Sequence, residues 1–194
     1  MTQLSALNSI HQKGKFGNYE NKNENNLLKI SEISNLIIFQ IVQFKHSIID
    51  SNNLIIDNLN LPKPLKVTSN DATRILWMGP NNWLIVSSKL DLLDSESVKI
   101  DKMNFALTNL SNSKAIIEIE GDLTNEVLKK GCPLNIDAMK KDDCSNSIYN
   151  SISFTLDFVS DNPKKVRLIC LRSYGESFYH SITDASLEYG YIAI

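Results

Sequence analysis

Apolar and polar residues alternate along this chain in two rhythms, one of period two and one near three and a half. Leu36-Ile37-Ile38-Phe39-Gln40-Ile41-Val42-Gln43-Phe44 is rich in β-branched and aromatic residues and predicts a strand. Ile48, Ile49, Ile55, Ile56 and Leu59 recur at roughly helical spacing. They predict a short helix ending before Pro62 and Pro64, because proline disfavours helix at the residue before it; Asn52 and Asn53 weaken such a helix. Arg74 to Met78 and Trp83 to Val86 are apolar runs joined by Gly79-Pro80-Asn81-Asn82, four turn formers, and so predict a β-hairpin. Leu90 to Met103 is charged with scattered apolar positions and reads as a short helix on a solvent face.

A second group of elements follows. Phe105 to Leu110 and Ala115 to Glu120 are strand-like runs joined by Ser111 to Lys114, and Ile117 and Ile119 alternate with Glu118 and Glu120 as in a half-buried strand. Gly121-Asp122 opens a helix with Asp122 as N-cap, a stripe of Leu123, Val127 and Leu128, and Gly131 just past its end. Ser147 to Phe158 reads as one or two strands and Val166 to Leu171 as another. Ser173-Tyr174-Gly175-Glu176 has the S-x-x-E spacing of a capping box. Behind it Tyr174, Phe178, Ile182, Ala185 and Tyr189 form a helical stripe that Gly190 can end.

The order β-α-ββ, a variable stretch, then ββ-α-ββ-α lacks the regular crossovers of a doubly wound sheet. The expected class is α+β, with mixed or antiparallel sheets carrying helices on one face. His11 to Asn26 is rich in Lys, Asn, Glu and Gly, with Phe16 and Tyr19 as its apolar anchors. The expected division is a flexible N-terminal arm over 1–30, a first half over 31–104 and a second over 105–194, the two halves sharing a core or forming one compact unit.

Composition narrows the functional classes. The 194 residues suffice for one medium domain without covalent staples. Twenty basic against twenty-two acidic residues leave a formal charge of −2, which argues against a dedicated nucleic-acid or polybasic membrane binder. No apolar run reaches the ~18 residues of a membrane helix, and Met1 to Ile10 lacks the basic and apolar regions of a secretory signal. A cytoplasmic protein is expected.

Candidate chemistry is sparse. Cys132, Cys144 and Cys170 lie far apart without C-x-x-C spacing, so neither a disulfide framework nor a zinc site is expected. Cys132, after a helix end, is the best placed nucleophile, yet thiolates are stabilised at helix N-termini, and a packed cysteine is the plainer reading. His11, His46 and His180 fall in different elements with no recognisable helper group. Trp77 and Trp83 flank the hairpin turn, where they can frame a planar ligand, anchor an interface or pack in a core. Lys140-Lys141 and Asp142-Asp143 read as a solvated turn. Arg167 and Arg172 bracket the last strand, and Arg172 precedes a helix N-terminus, suiting it to an anion or an acidic side chain of a partner or, more plainly, to a structural ion pair. No dinucleotide fingerprint, P-loop or nucleophile elbow is present.

Several motifs in order carry a resemblance. Trp77-Met78-Gly79-Pro80-Asn81-Asn82-Trp83-Leu84 resembles the W-x-G-P-x-x-W-L hairpin of the gamma subunit of heterotetrameric sarcosine oxidase. Lys129-Lys130-Gly131-Cys132-Pro133-Leu134 resembles that family's L-x-K-G-C-P-L segment. Leu171 to Tyr174 and Ile182 to Gly190 are similar to the start and end of its C-terminal helix, and Ser5-Ala6-Leu7 is similar to the usual start of these subunits. Met78 and Asn82 depart from the pattern, as does the low alanine content. The resemblance implies an α+β fold related to the folate-binding aminomethyltransferase (T-protein) domains. It implies a holoenzyme that oxidatively demethylates sarcosine to glycine, giving hydrogen peroxide and either formaldehyde or 5,10-methylenetetrahydrofolate. It places FAD, FMN, NAD and tetrahydrofolate on the alpha and beta subunits and zinc on delta. It assigns this chain no catalytic, cofactor-binding or metal residues and makes alpha its main contact. The alternative is a stand-alone folate-binding module of the T-protein type.

Overall fold

The structure, a computed structural model, describes residues 5–20 and 22–194; the first four residues of the Met1 to Ile10 stretch lie outside them. In chain order the elements are β1 (Gly14–Phe16), β2 (Leu28–Glu32), β3 (Ile37–Gln43), β4 (Ile55–Ile56), β5 (Leu59–Asn60), β6 (Val67–Ser69), β7 (Thr73–Gly79), β8 (Asn82–Ser87), α1 (Leu92–Ser97), β9 (Phe105–Asn109), β10 (Lys114–Glu120), α2 (Thr124–Lys129), β11 (Cys144–Tyr149), β12 (Ile152–Asp161), β13 (Lys164–Leu171), α3 (Gly175–Leu187) and β14 (Tyr191–Ala193). The class is α+β, as the pattern predicts.

Two compact units emerge. The first comprises the described residues up to Ser34, Ser113–Lys141 and Asn146–Ile194; the second comprises Asn35–Asn112 and Asp142–Ser145. The division therefore falls at 34/35 and 112/113, not at 30/31 and 104/105, and the expected N-terminal arm is built into the first unit. The reason is strand pairing. β2 lies between β14 and β10 in a seven-stranded sheet of order β1-β14-β2-β10-β13-β12-β11, and it buries Leu28 and Ile30. β9 and β10, adjacent in sequence, go to different sheets.

In the first unit, period two sorts the side chains. Ala115, Ile117 and Ile119 of β10, Val166, Leu168 and Cys170 of β13, and Phe154, Leu156 and Phe158 of β12 share a core with Val127 and Leu128 of α2 and Phe178 and Ile182 of α3. Full burial of each large apolar side chain contributes about 1.5–3 kcal/mol before the entropy of ordering it. The intervening positions, Glu118, Glu120, Lys165 and Arg167, occupy the opposite, helix-free face.

The second unit is built on a five-stranded antiparallel sheet, β6-β7-β8-β3-β9, plus the β4-β5 hairpin. Phe39, Ile41, Ile75, Trp83, Ile85 and Phe105 face Leu92 and Ile100 from the α1 region. The hairpin read at Arg74 to Val86 is β7-β8, with Asn81 in the left-handed region at its turn. The helix read over Ile48 to Leu59 is absent. Its place holds a 3-10 turn at Ser51–Asn53 and a two-residue hairpin turn at Asp57-Asn58, whose φ values of 48° and 63° suit a type I′ turn.

Two helix starts also differ from the sequence reading. α3 is preceded by a 3-10 turn at Arg172–Tyr174, so it begins at Gly175 without a side-chain cap, and Ser173 closes no capping box. Glu176 instead accepts a hydrogen bond from Ser9 Oγ at 2.5 Å. α2 begins after Leu123, not at Asp122, with Thr124 Oγ1 donating back to the Gly121 carbonyl at 2.6 Å.

Candidate functional site

Trp77 and Trp83 are cross-strand neighbours on β7 and β8. Both belong to the core of the second unit, Trp83 fully so. Side chains paired across a sheet lie side by side on one face. They therefore form a single wall and do not oppose each other as the two sides of a slot for a planar ligand. Among the described residues the buried Trp83 Nε1 has no hydrogen-bond acceptor.

The three cysteines are all buried and free. Cys132 lies 3.4 Å from Ser147 Oγ, and Cys144 donates to the carbonyls of Lys66 and Trp77 at 3.2 and 3.4 Å. Burial pushes the Cys170 thiol up to about 11, partly offset by Lys114. None sits in the electropositive, accessible setting of a reactive thiolate. The histidines remain apart. His11 bonds Tyr179 Oη at 2.8 Å and the Ile194 carbonyl at 2.9 Å, His46 stacks on Phe44, and His180 is exposed on α3. Among the described residues no group of three or more His, Cys, Asp or Glu side chains is placed to hold a metal ion.

The basic and acidic run at 140–143 is more than a solvated turn. Asp142 accepts from the buried Arg74 at 3.2 Å and Asp143 pairs with Lys66, so these carboxylates fasten the 142–145 segment within the second unit. Arg172 donates to the Ser5 carbonyl at 3.2 Å, and Arg167 Nε donates to Glu118 at 2.8 Å. The structural ion pair is thus the fitting description of Arg167, while Arg172 ties down the chain start.

Two polar assemblies escaped the sequence reading. On the helix-free face of the first unit, Lys29 and Lys165 both bond Glu120, at 2.9 and 2.7 Å, beside the Arg167–Glu118 pair. The hydrogen bonds from Lys165 and Lys29 hold the Glu120 carboxyl below its ordinary value despite burial. In the second unit Asp57 accepts from Thr73 Oγ1 at 2.6 Å, Asn70 at 3.1 Å and Lys89 at 2.5 Å, and Thr73 also bonds Ser87 Oγ at 2.7 Å. Burial opposes ionisation of Asp57, but these donors outweigh it and lower its pKa. The signal for the first was present as charged residues at alternate positions of β10 and β13, and what was missing was the strand register; Asp57, Asn70 and Lys89 lie in connections between strands, where no periodic signal exists.

A groove of about 510 Å³ also opens on the first unit, lined by residues of β10, β11, β12 and β13 that include Lys114, Ile148, Ser153 and Leu171. No sequence motif marks it.

With the geometry in place, the structure can be set beside known ones. It superposes on a chain of heterotetrameric sarcosine oxidase from Corynebacterium sp. U-96 with a TM-score of 0.75 and 18% identity, covering 86% of this chain and 87% of that one. The fold is similar to that of a sarcosine oxidase chain. It is also similar to glycine cleavage system aminomethyltransferase T from Bartonella henselae, with a TM-score of 0.59 and 7% identity over 82% of this chain. That match spans 46% of the aminomethyltransferase, so this chain corresponds to about half its length. No family model matches the sequence, and no curated protein matches it. The likeness to sarcosine oxidase read from the hairpin and K-G-C-P-L motifs is therefore shared by the fold. Among the described residues no helix is long and apolar enough to cross a membrane.

Proposed function

We propose that this chain is the gamma-type, structural subunit of a heterotetrameric sarcosine oxidase and has no catalytic, cofactor-binding or metal residues of its own. The observation that carries this reading is the large share of both chains that superposes. Because 86% of this chain matches 87% of the sarcosine oxidase chain, the two are of nearly equal length. The aminomethyltransferase is by contrast about half covered. In this reading the partners are the alpha, beta and delta subunits, with alpha the main contact. FAD, FMN, NAD and tetrahydrofolate reside on alpha and beta and zinc on delta. The cytoplasmic assembly converts sarcosine to glycine, releasing hydrogen peroxide with formaldehyde or 5,10-methylenetetrahydrofolate. Nearly full exposure of Ile48, Val98 and Met103 in the second unit supports a chain made for assembly.

Co-expression of this chain, tagged, with the alpha subunit tests the proposal. A flavin-bearing partner is expected to be retained at moderate salt, while the isolated chain is colourless; failure of alpha to be retained overturns the reading. The likeness to aminomethyltransferase T favours a second reading, a stand-alone folate-binding module. Calorimetry of the isolated chain with tetrahydrofolate separates the two: saturation at one equivalent selects the module. The side-by-side placement of Trp77 and Trp83 counts against it.

A further inference from the structure

We propose that the open end of the helix-free sheet face in the first unit binds a small amphipathic anion, a carboxylate on an apolar body, with the Lys114 ammonium as its counter-ion. Lys114 is the first residue of β10 and pairs in register with Leu171 of β13; Phe154 of β12 pairs with the next residue inward, Cys170. This register gathers Lys114, Leu171, Ser153 and Ile148 around the groove of about 510 Å³, a size suited to a small ligand. Ile148 and Leu171, 47% and 46% exposed, are large apolar side chains left half open to solvent at its rim.

The charge balance on this face points to the ligand. Lys29, Lys165 and Arg167 each have a carboxylate partner in Glu118 or Glu120. Lys114 has none, and no hydrogen bond reaches its ammonium from any described residue. No carboxylate lines the groove. Cys170, the one acidic group beside Lys114, stays a neutral thiol at physiological pH because burial raises it to about 11. A half-buried ammonium without a counter-charge is unfavourable, and burial pulls Lys114 below the usual lysine value. An incoming carboxylate relieves that cost while its apolar body covers Ile148 and Leu171. The Ser153 hydroxyl, without a hydrogen-bond partner among the described residues, offers the carboxylate a second donor. A second depression on this unit, lined by Lys29 and Glu120, already holds a neutralised pair and lacks this demand.

The test is calorimetry of the full chain with octanoate and with its neutral counterpart octanamide, on the wild type, Lys114→Met, Lys114→Arg and Ser153→Tyr. Octanoate is expected to saturate at one equivalent. Binding is expected to weaken by about tenfold or more for octanamide and in Lys114→Met, to survive in Lys114→Arg, and to weaken in Ser153→Tyr, which fills the groove from its exposed side. Equal affinity in wild type and Lys114→Met overturns the proposal, as does binding of several equivalents, the mark of an adventitious detergent-like effect. Absence of octanoate binding, with Lys114 shielded from acetylation in an assembled complex, also overturns it and gives the face to a protein partner. Melting curves of all four proteins confirm that each is folded.

Discussion

Two glycines set how closely the chain start can approach the end of α3. Gly17, at φ 72°, has no room for a Cβ, which would lie 2.3 Å from the Leu187 carbonyl oxygen; at Gly190, φ 75°, a Cβ would lie 2.4 Å from the Asn18 carbonyl oxygen. This approach lets the Asn18 N–H donate to Leu187 O at 2.7 Å, satisfying a carbonyl of the last helical turn. Gly190→Ala is expected to lose about 1–3 kcal/mol from the left-handed backbone alone, more once the clash is included, read as a lowered urea midpoint. Gly190 was legible as a helix end; Gly17 was not, because its requirement comes from residues far along the chain. Gly131 was legible for the wrong reason. It has no positive φ, and its smallness matters because a Cβ there would lie 2.7 Å from the Tyr149 ring. Tyr149 itself is fully buried, donates to Val127 O at 3.0 Å, and is pushed by burial up to about 12. A raised phenol pKa means that its stabilisation is complete below the ordinary value of 10 and is lost as pH rises from there towards 12. Tyr149→Phe is therefore expected to cost about 1 kcal/mol at neutral pH and to lose less additional stability than wild type in alkaline unfolding titrations. Tyr179, also raised to about 12, keeps its share in both proteins.

Among the elements, the β7-β8 hairpin and the alternating strands β10 and β13 could be read from sequence because their signals are local: four turn formers between apolar runs, and a period of two. The β4-β5 hairpin could not. Its strands are two residues each, too short for a period, and the isoleucines around them happen to fall at helical spacing. What holds it is Asp57 at its turn, bonded to Lys89, Thr73 and Asn70. Since the Asp57 pKa is lowered in the folded chain, its stabilisation is present above the ordinary carboxylate range and is lost as pH falls through the lowered value. Asp57→Asn keeps a residue tolerant of the left-handed turn. It is expected to cost about 1–3 kcal/mol at neutral pH and to flatten the decline of the urea midpoint on acidification. A wild-type acid slope in that variant would show that the network does not depend on the charge. The missing capping box at Ser173 has a similar origin, because the 3-10 turn after β13 delays the helix past the motif. The groove around Lys114 was illegible for another reason. Sequence shows that β10 alternates, not which of its faces a helix leaves uncovered.

For the whole molecule, the cysteines give a simple global readout. With Cys132, Cys144 and Cys170 at 6%, 1% and 1% exposure, a thiol reagent is expected to label the native chain slowly and all three sites after denaturation. Rapid labelling of one site in the native state would contradict the packing described. The fold class was legible from element order, but the division into units was not, since it depends on β2 and β14, short strands that are parallel neighbours despite lying some 160 residues apart. That pairing has a consequence for synthesis. Emerging from a ribosome, the chain presents nearly all of the second unit as the unbroken stretch 35–112, able to begin packing at once. The first unit starts earlier yet finishes later: β2 must wait, its Leu28 and Ile30 incompletely covered, first for β10 and then for β14, made some 160 residues later. A strand made before the second unit thus stays exposed after that unit has packed, and it is there that a nascent-chain chaperone has most to protect.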